Sequence, residues 1–295
     1  MFNTVRIIIL FVVLTQASQV FAGGWLQPEG DHYVKVWMRS LMGKKAFLSD
    51  GQVRELDANF KDISLSAYSE YGLNRNTTIV LSSTFLGLAT FESDDSNTKT
   101  GDTMYIGPLE LSMRKAISTG PLKVAFQFGY GYTPPVGNET IAEGALQDEN
   151  MDSCGGSCLF FYTPTVNAHR VVSELQVGYG FLNGIWITGN VGGGYPFLVE
   201  DDNIDLDPTI HGVFQVGKEW SSGLVANFHL NFVQPLGDVI RNEISGRGQT
   251  KYISPGVGMS YWLTKHWSVL VGADFVIQAA SNLGALPIAI GIEHR

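Results

Sequence analysis

The stretch Leu224–Leu236, LVANFHLNFVQPL, alternates apolar and polar side chains over most of its length. Phe228 and Phe232 stand at alternate positions, and His229 and Asn231 stand between them. Because successive side chains of a β-strand point to opposite faces, this segment is predicted to be a strand with one apolar and one polar face. A half-buried strand of a soluble sandwich and a strand of a membrane barrel give the same alternation. The remainder of the chain has to distinguish these two folds.

The N-terminal residues 1–22 have the pattern of a secretory signal peptide. One cation, Arg6, precedes the apolar run 7–14, and compact residues end the segment at Ala22. The apolar run is shorter than the roughly 20 residues that a membrane-spanning helix needs. We therefore expect residues 1–22 to direct export and to be cleaved off, which leaves residues 23–295 as the mature chain.

The composition favours a membrane-embedded sheet. The 295-residue chain has 34 glycines, 12% aromatic residues and only 16% charged residues, whereas roughly 25% charged residues is usual for soluble domains. Strands that keep one face in lipid need few charges. The formal net charge of −9 argues against a nucleic-acid partner, which would require a basic patch.

Alternation with a period of two predicts about twelve strands, each close to the roughly 9–11 residues that a tilted membrane strand requires. They fall near 32–42, 62–72, 77–92, 103–117, 122–133, 168–181, 185–196, 209–220, 224–236, 249–263, 267–279 and 285–294.

Short and long connections alternate along the chain. Tight turns such as 182–184 (LNG) and 221–223 (SSG) follow the even-numbered strands, and longer polar segments such as 237–248 follow the odd-numbered ones. Outer-membrane barrels have short periplasmic turns and long external loops, and a soluble sandwich has no reason to sort its connections in this way. We predict an all-β fold: a transmembrane, antiparallel, up-and-down β-barrel of about 12 strands over residues 23–295.

Aromatic residues collect near the predicted strand ends, where they would form girdles at the two membrane interfaces. They are Tyr71, Tyr130, Tyr132, Tyr179, Phe181, Trp186, Tyr195, Trp220, Tyr261, Trp262 and Trp267. The expected location is the outer membrane of a Gram-negative bacterium. The expected partners are outer-membrane lipid, lipopolysaccharide and the barrel-assembly machinery.

The polar faces of the predicted strands would line the barrel lumen. The lumen-lining candidates are Arg39, Glu70, Glu110, Arg114, Gln127, Arg170, Glu174, Gln176, Gln215, Asn227, His229, Asn231 and Asp274. Both signs of charge occur, which leaves two interpretations: a narrow polar channel for a small solute, or a lumen closed by its own ion pairs. Glycines at inward positions such as 217 and 256 would leave space or let the strands bend.

The two cysteines, Cys154 and Cys158, stand in CGGSC within the longest predicted loop, 133–167. In an exported protein a local disulfide is the default expectation. A zinc site would need further ligands, and no His or Cys flanks the pair at the usual spacing. We predict a disulfide and no metal site.

Barrels of this size can also carry lipid-modifying enzymes, which need a nucleophile and an oriented histidine. His169 and His211 fall near the expected external rim, and Ser173 follows His169. No motif connects these residues, so the sequence predicts neither catalytic residues nor a cofactor.

Two segments resemble known families. The segment 23–40, GGWLQPEGDHYVKVWMRS, and the hairpin 68–85, YSEYGLNRNTTIVLSSTF, resemble Gram-negative outer-membrane barrels of the XagA-like kind and of the MetA-pathway-of-phenol-degradation, transporter-like kind. The resemblance implies an outer-membrane barrel that acts as a passive channel, with a hydrophobic or aromatic solute as the expectation, and it supplies no catalytic residues. The alternatives are a structural or adhesive surface barrel that acts through its external loops, and a lipid-modifying enzyme.

Overall fold

A computed structural model describes residues 25–47, 51, 53–93, 101–137, 142–146, 158–162, 164–199, 206–237, 251–280 and 282–295. The predicted signal peptide and Cys154 lie outside the described residues, and nothing is described of the Cys158 side chain. The cleavage and the disulfide therefore stay predictions.

The described ranges form seventeen β-strands. They are β1 (His32–Phe47), β2 (Val53–Asn74), β3 (Thr77–Ser93), β4 (Gly101–Tyr105), β5 (Leu109–Thr119), β6 (Leu122–Thr133), β7 (Ala142–Leu146), β8 (Cys158–Tyr162), β9 (Ala168–Gly180), β10 (Ile185–Val199), β11 (Thr209–Glu219), β12 (Leu224–Pro235), β13 (Lys251–Trp262), β14 (Trp267–Asp274), β15 (Gln278–Ala280), β16 (Asn282–Gly284) and β17 (Ile288–His294). The described part of the chain contains no helix that is long and apolar enough to cross a membrane.

Twelve of the strands form a closed antiparallel wall in which each strand pairs with the wall strands before and after it along the chain. The wall runs β1, β2, β3, β5, β6, β9, β10, β11, β12, β13, β14 and β17, and β17 pairs back with β1. The short strands β4, β15 and β16 extend the wall by pairing with β3, β13 and β1, while β7 and β8 form a separate two-stranded sheet. The predicted twelve-stranded up-and-down barrel is confirmed.

Two predicted strands are interrupted, and the last predicted strand begins three residues later than expected. The breaks fall at 106–108, 275–277 and 285–287, between β4 and β5, β14 and β15, and β16 and β17. Pro108 and Pro287 lie in two of these breaks, and proline has no N–H with which to continue the ladder. These breaks correct the prediction of unbroken strands at 103–117 and 267–279, and they move the start of the strand predicted at 285–294 to Ile288.

The tight turns follow the predicted positions. Gly184 and Gly223 have φ angles of 75° and 85°, a left-handed conformation that glycine adopts without steric cost. The Phe181 N–H donates to the Ile185 carbonyl at 2.7 Å, which closes the first of these turns. We call the end of the barrel that holds these turns the short-turn end, and the opposite end the long-loop end.

The outer and inner faces of the wall differ in polarity. Outward side chains such as Phe228, Phe126 and Ile290 are exposed, whereas inward side chains such as Thr188 and Gln176 are buried. The stretch 224–236 follows this division, because its phenylalanines face out and its His229 faces in. Polar residues make up much of the buried interior, as expected for a barrel with an apolar outer face.

One of the predicted girdle residues lies elsewhere. The Trp186 side chain is buried, and its indole lies over Gly217 on the inner face of the wall, where a Cβ atom would overlap it. Trp186 shares its strand face with Thr188 and Asn190, so the period-two pattern places it inside. The prediction of an interfacial Trp186 is therefore wrong.

Candidate functional site

A chain of hydrogen bonds crosses the inner wall from β2 to β9. Arg114 Nη1 donates to Glu70 Oε1 at 2.7 Å, and Arg114 Nε donates to Gln127 Oε1 at 3.1 Å. Gln176 Nε2 donates to the same Gln127 oxygen at 3.2 Å and also to Glu174. We call these five residues the lumen belt. The register explains it, because Arg114 pairs with Gln127 and Gln127 with Glu174 on adjacent strands.

The lumen belt continues at both ends. Arg114 Nη2 donates to Tyr68 Oη at 2.8 Å, and the Tyr68 hydroxyl donates to Glu70. At the other end His211 Nε2 lies 3.5 Å from Glu174 Oε2, which extends the contacts to β11. The interior therefore has one connected polar network along a large part of its circumference.

The Arg114–Glu70 ion pair is a deeply buried contact of the lumen belt. The two side chains are only 6% and 8% exposed. Removing two charges from water costs free energy that their attraction only partly offsets, so a buried pair of this kind is weak evidence for added stability. What the pair does fix is the position of both side chains in the lumen.

A second polar cluster lies on β12 and β14. His229 Nε2 lies 2.6 Å from Asp274 Oδ1, and Asn231 Nδ2 donates to the same oxygen at 3.2 Å. His229 Nδ1 lies 3.2 Å from Asn227 Oδ1. Gly256 on β13 makes room for this cluster, because a Cβ atom there would overlap His229 and Asp274. We call these four side chains the His229 cluster.

The remaining predicted lining residues lie outside both groups. Glu110 and Gln215 line a cavity near the short-turn end. Arg39 lines a cavity near the long-loop end together with Asn231 and Asp274, and Arg170 lines a second cavity at that end. The structure thus brings nine of the predicted residues into two clusters and places the other four around open space.

The cavity near the short-turn end has two chemically different walls. It has a volume of about 430 Å³. Aromatic and cationic side chains line one wall, and carboxylates and carboxamides line the other. The first wall, on β1 and β2, has Tyr33, Lys35, Trp37 and Tyr68 together with Glu70. The second, on β5 to β11, has Glu110, Gln127, Glu174, Gln176, Asn190 and Gln215 together with Arg114, and Trp25 lies at the end of the cavity. We call this space the lower cavity.

The long-loop end holds two cavities, of about 440 Å³ and 290 Å³. Pro164 and Thr165 line both of them, so the segment 164–167 lies between the two spaces. Thr165 Oγ1 donates to the Val136 carbonyl at 3.0 Å. This bond joins the last part of the long loop to its first part, just after β6. Part of the longest loop therefore folds into the mouth of the barrel.

The N-terminal segment also enters the lumen, which the sequence did not predict. The Gln27 side chain is buried, and Gln27 Nε2 donates to Glu70 Oε2 at 2.7 Å. The Trp25 carbonyl accepts from Arg114 Nη1 at 3.1 Å. Residues 25–31 carry no strand alternation, so only their contacts in the folded barrel show where they lie. Tyr33 and Trp37 were also missed, although they alternate with the same period as Arg39.

The histidines considered for an enzyme are on opposite sides of the wall. His169 Nδ1 lies 2.5 Å from the hydroxyl of the exposed Tyr130, on the outer face. His211 lines an inner cavity with Arg170. The structure does not bring His169 and His211 into one site.

Comparison with solved structures finds barrels of the same architecture. An outer-membrane channel from Pseudomonas putida F1 superposes with a TM-score of 0.60 at 12% identity, covering 94% of this chain and 99% of that chain. The NanC porin superposes with a TM-score of 0.50 at 8% identity, covering 90% and 100%. The protein therefore shares the closed antiparallel β-barrel fold of these outer-membrane proteins. No family model and no curated protein matches the chain.

Proposed function

We propose that the protein is a passive channel for a small solute in the outer membrane. The observation that supports this role is the pair of polar, open regions at the two ends of the lumen, inside a closed wall with an apolar outer face. Small-molecule sites are typically cavities of about 300–1,000 Å³ with a few placed polar groups, and the lower cavity lies within that range.

The surroundings of this channel follow from its outer surface. The exposed apolar side chains would lie in lipid, and in the outer leaflet they would lie beside lipopolysaccharide. A closed barrel suits this position because it leaves no unpaired strand edge in the membrane. Delivery through a cleaved signal peptide at residues 1–22 and insertion by the barrel-assembly machinery are parts of the same proposal.

The two walls of the lower cavity suggest the kind of solute. Trp37 and Tyr33 offer flat apolar faces, and Gln176 and Asn190 on the opposite wall offer amide donors and acceptors. A small ring compound with hydroxyl groups fits both walls, because aromatic faces pack on rings while amides bind hydroxyls. This agrees with the hydrophobic or aromatic solute that the family resemblance implies.

Single-channel conductance of the refolded mature chain in a planar bilayer tests the proposal. An Asn231→Arg variant places a cation beside Asp274, near the long-loop end of the lumen. A Phe228→Leu variant changes the outer face of the same strand. We expect steady conductance that the first variant changes and the second does not. A silent protein with heat-modifiable gel mobility, which shows correct folding, would contradict the channel and favour a structural or adhesive barrel.

A further inference from the structure

We propose that residues 25–27 are a built-in constriction of this channel, held in the short-turn end of the lumen by Glu70, Thr78 and Arg114. The inference rests on the proposed channel function and adds the element that limits solute size. The first support is the set of bonds. The Gln27 N–H donates to Thr78 Oγ1 at 3.0 Å, and the Gln27 side chain donates to Glu70.

Trp25 supplies the bulk of the constriction. Its carbonyl is bound by Arg114 on β5, and Lys123 Nζ on β6 lies 5.6 Å from the centre of its ring. Gly180 on β9 faces the same ring, and a Cβ atom there would lie 3.3 Å from Trp25 Cη2. The segment therefore contacts inward positions from β2 to β9, across the end of the lower cavity.

A tight turn sets the entry of this segment into the lumen. The Gly30 N–H donates to the Gly72 carbonyl at 2.8 Å, and the Gly72 N–H donates to the Asp31 carbonyl at 2.9 Å. A Cβ atom at Gly72 would overlap the Pro28 carbonyl. The chain is thus anchored to the barrel rim at Gly30 and Asp31, and the residues before Pro28 lie inside.

The segment is held by hydrogen bonds and by the contacts of its tryptophan ring. The bonds run from Gln27 and to the Trp25 carbonyl, and Lys123 lies beside the ring, whereas the buried Trp25 Nε1 has no hydrogen-bond partner among the described residues. A buried donor without a partner makes the seated position less favourable. The seated segment narrows the end of the lower cavity inside the fixed wall of the barrel.

The test compares Trp25→Ala and Gln27→Ala with Glu29→Gln, a control just beyond the segment whose side chain is exposed. We expect a ~2-fold or larger rise in conductance for the first two variants, because pore radius controls conduction. Both variants should also admit larger polyethylene glycols than the parent chain does. The control should match the parent chain. Unchanged conductance and size exclusion in both alanine variants, with a conducting parent chain, would overturn the constriction and leave the channel intact.

A cross-link tests the position of the segment without relying on conductance. Gln27→Cys with Thr78→Cys, in a chain carrying Cys154→Ser and Cys158→Ser, should form a disulfide in the folded barrel, because the two residues are in contact. Reduction should then raise conductance. If the disulfide does not form in correctly folded protein, the segment does not lie in the lumen and the proposal is wrong. If parent and alanine variants are all silent, the channel itself is wrong.

Discussion

At the scale of single residues, Arg114 is the side chain on which the lumen belt depends. It binds Glu70, Tyr68, Gln127 and the Trp25 carbonyl, and it is nearly inaccessible to solvent. We expect Arg114→Met to lower the free energy of unfolding in detergent micelles by about 3 kcal/mol, because it leaves the Glu70 carboxylate buried without its cation.

The double variant Arg114→Met with Glu70→Gln is the matched control for this prediction. It removes both charges, so it should recover much of the lost stability, as replacement of a whole buried ion pair often does. Equal destabilisation of the single and double variants would show that the guanidinium acts through its contacts with Tyr68 and Gln127 and not through the Glu70 charge.

Gly256 gives a second prediction at this scale. A Cβ atom at 256 would overlap both partners of the His229–Asp274 contact, whereas a Cβ atom at Gly272 would meet its nearest neighbour, the Val257 carbonyl, at 3.3 Å. We expect Gly256→Ala to lower the unfolding free energy by about 1–3 kcal/mol, the usual cost of overpacking. Gly272→Ala should cost clearly less, and the reverse order in chemical denaturation would contradict the described packing.

At the scale of strands, the short strands β15 and β16 pair outside the ladder between β14 and β17. Pairing between β14 and β17 reaches the Asp274 N–H, which donates to the Pro287 carbonyl at 3.1 Å. Beyond it β15 pairs with β13, and β16 pairs with β1. We expect amides of β15 and β16 to exchange with deuterium faster than those of β12, because short segments with few ladder bonds open more readily. Equal protection would contradict this.

The strands were largely predictable, because turn glycines and the period of two both act locally. Gly184 and Gly223 mark turns at their own positions, and Phe228 alternates with His229 whatever the rest of the chain does. The period of two also places Trp186 on the inner face, with Thr188 and Asn190. Its position near a strand end wrongly indicated the membrane interface. The break at Pro287 was missed because the alternation continues on both sides of it.

The site was only partly predictable for the opposite reason. Alternation brings Arg114 and Gln127 to the inner face, but it does not specify which side chains bond. Gln27 contacts Glu70 and Thr78, which lie 43 and 51 residues away in sequence. No local sequence pattern predicts such a contact. The position of the N-terminal segment and the insertion of 164–167 are therefore visible only in the folded structure.

At the scale of the whole molecule, acidic side chains outnumber basic ones around the three cavities, six to four. The acidic residues that line the three cavities are Asp62, Glu70, Glu110, Glu174, Asp207 and Asp274, and the basic ones are Lys35, Arg39, Arg114 and Arg170. A confined space with an excess of one sign of charge concentrates ions of the opposite sign. The protein should therefore conduct cations in preference to anions.

Reversal potentials in a potassium chloride gradient measure this preference directly. Glu110→Gln removes one carboxylate from the lower cavity and should lower the ratio of cation to anion permeability. Glu92→Gln is the control, because Glu92 is exposed next to the buried, inward Phe91 and belongs to the outer face. An anion preference in the parent chain, or an equal ratio in parent and Glu110→Gln, would mean that the charges lining these cavities do not face the conducting path.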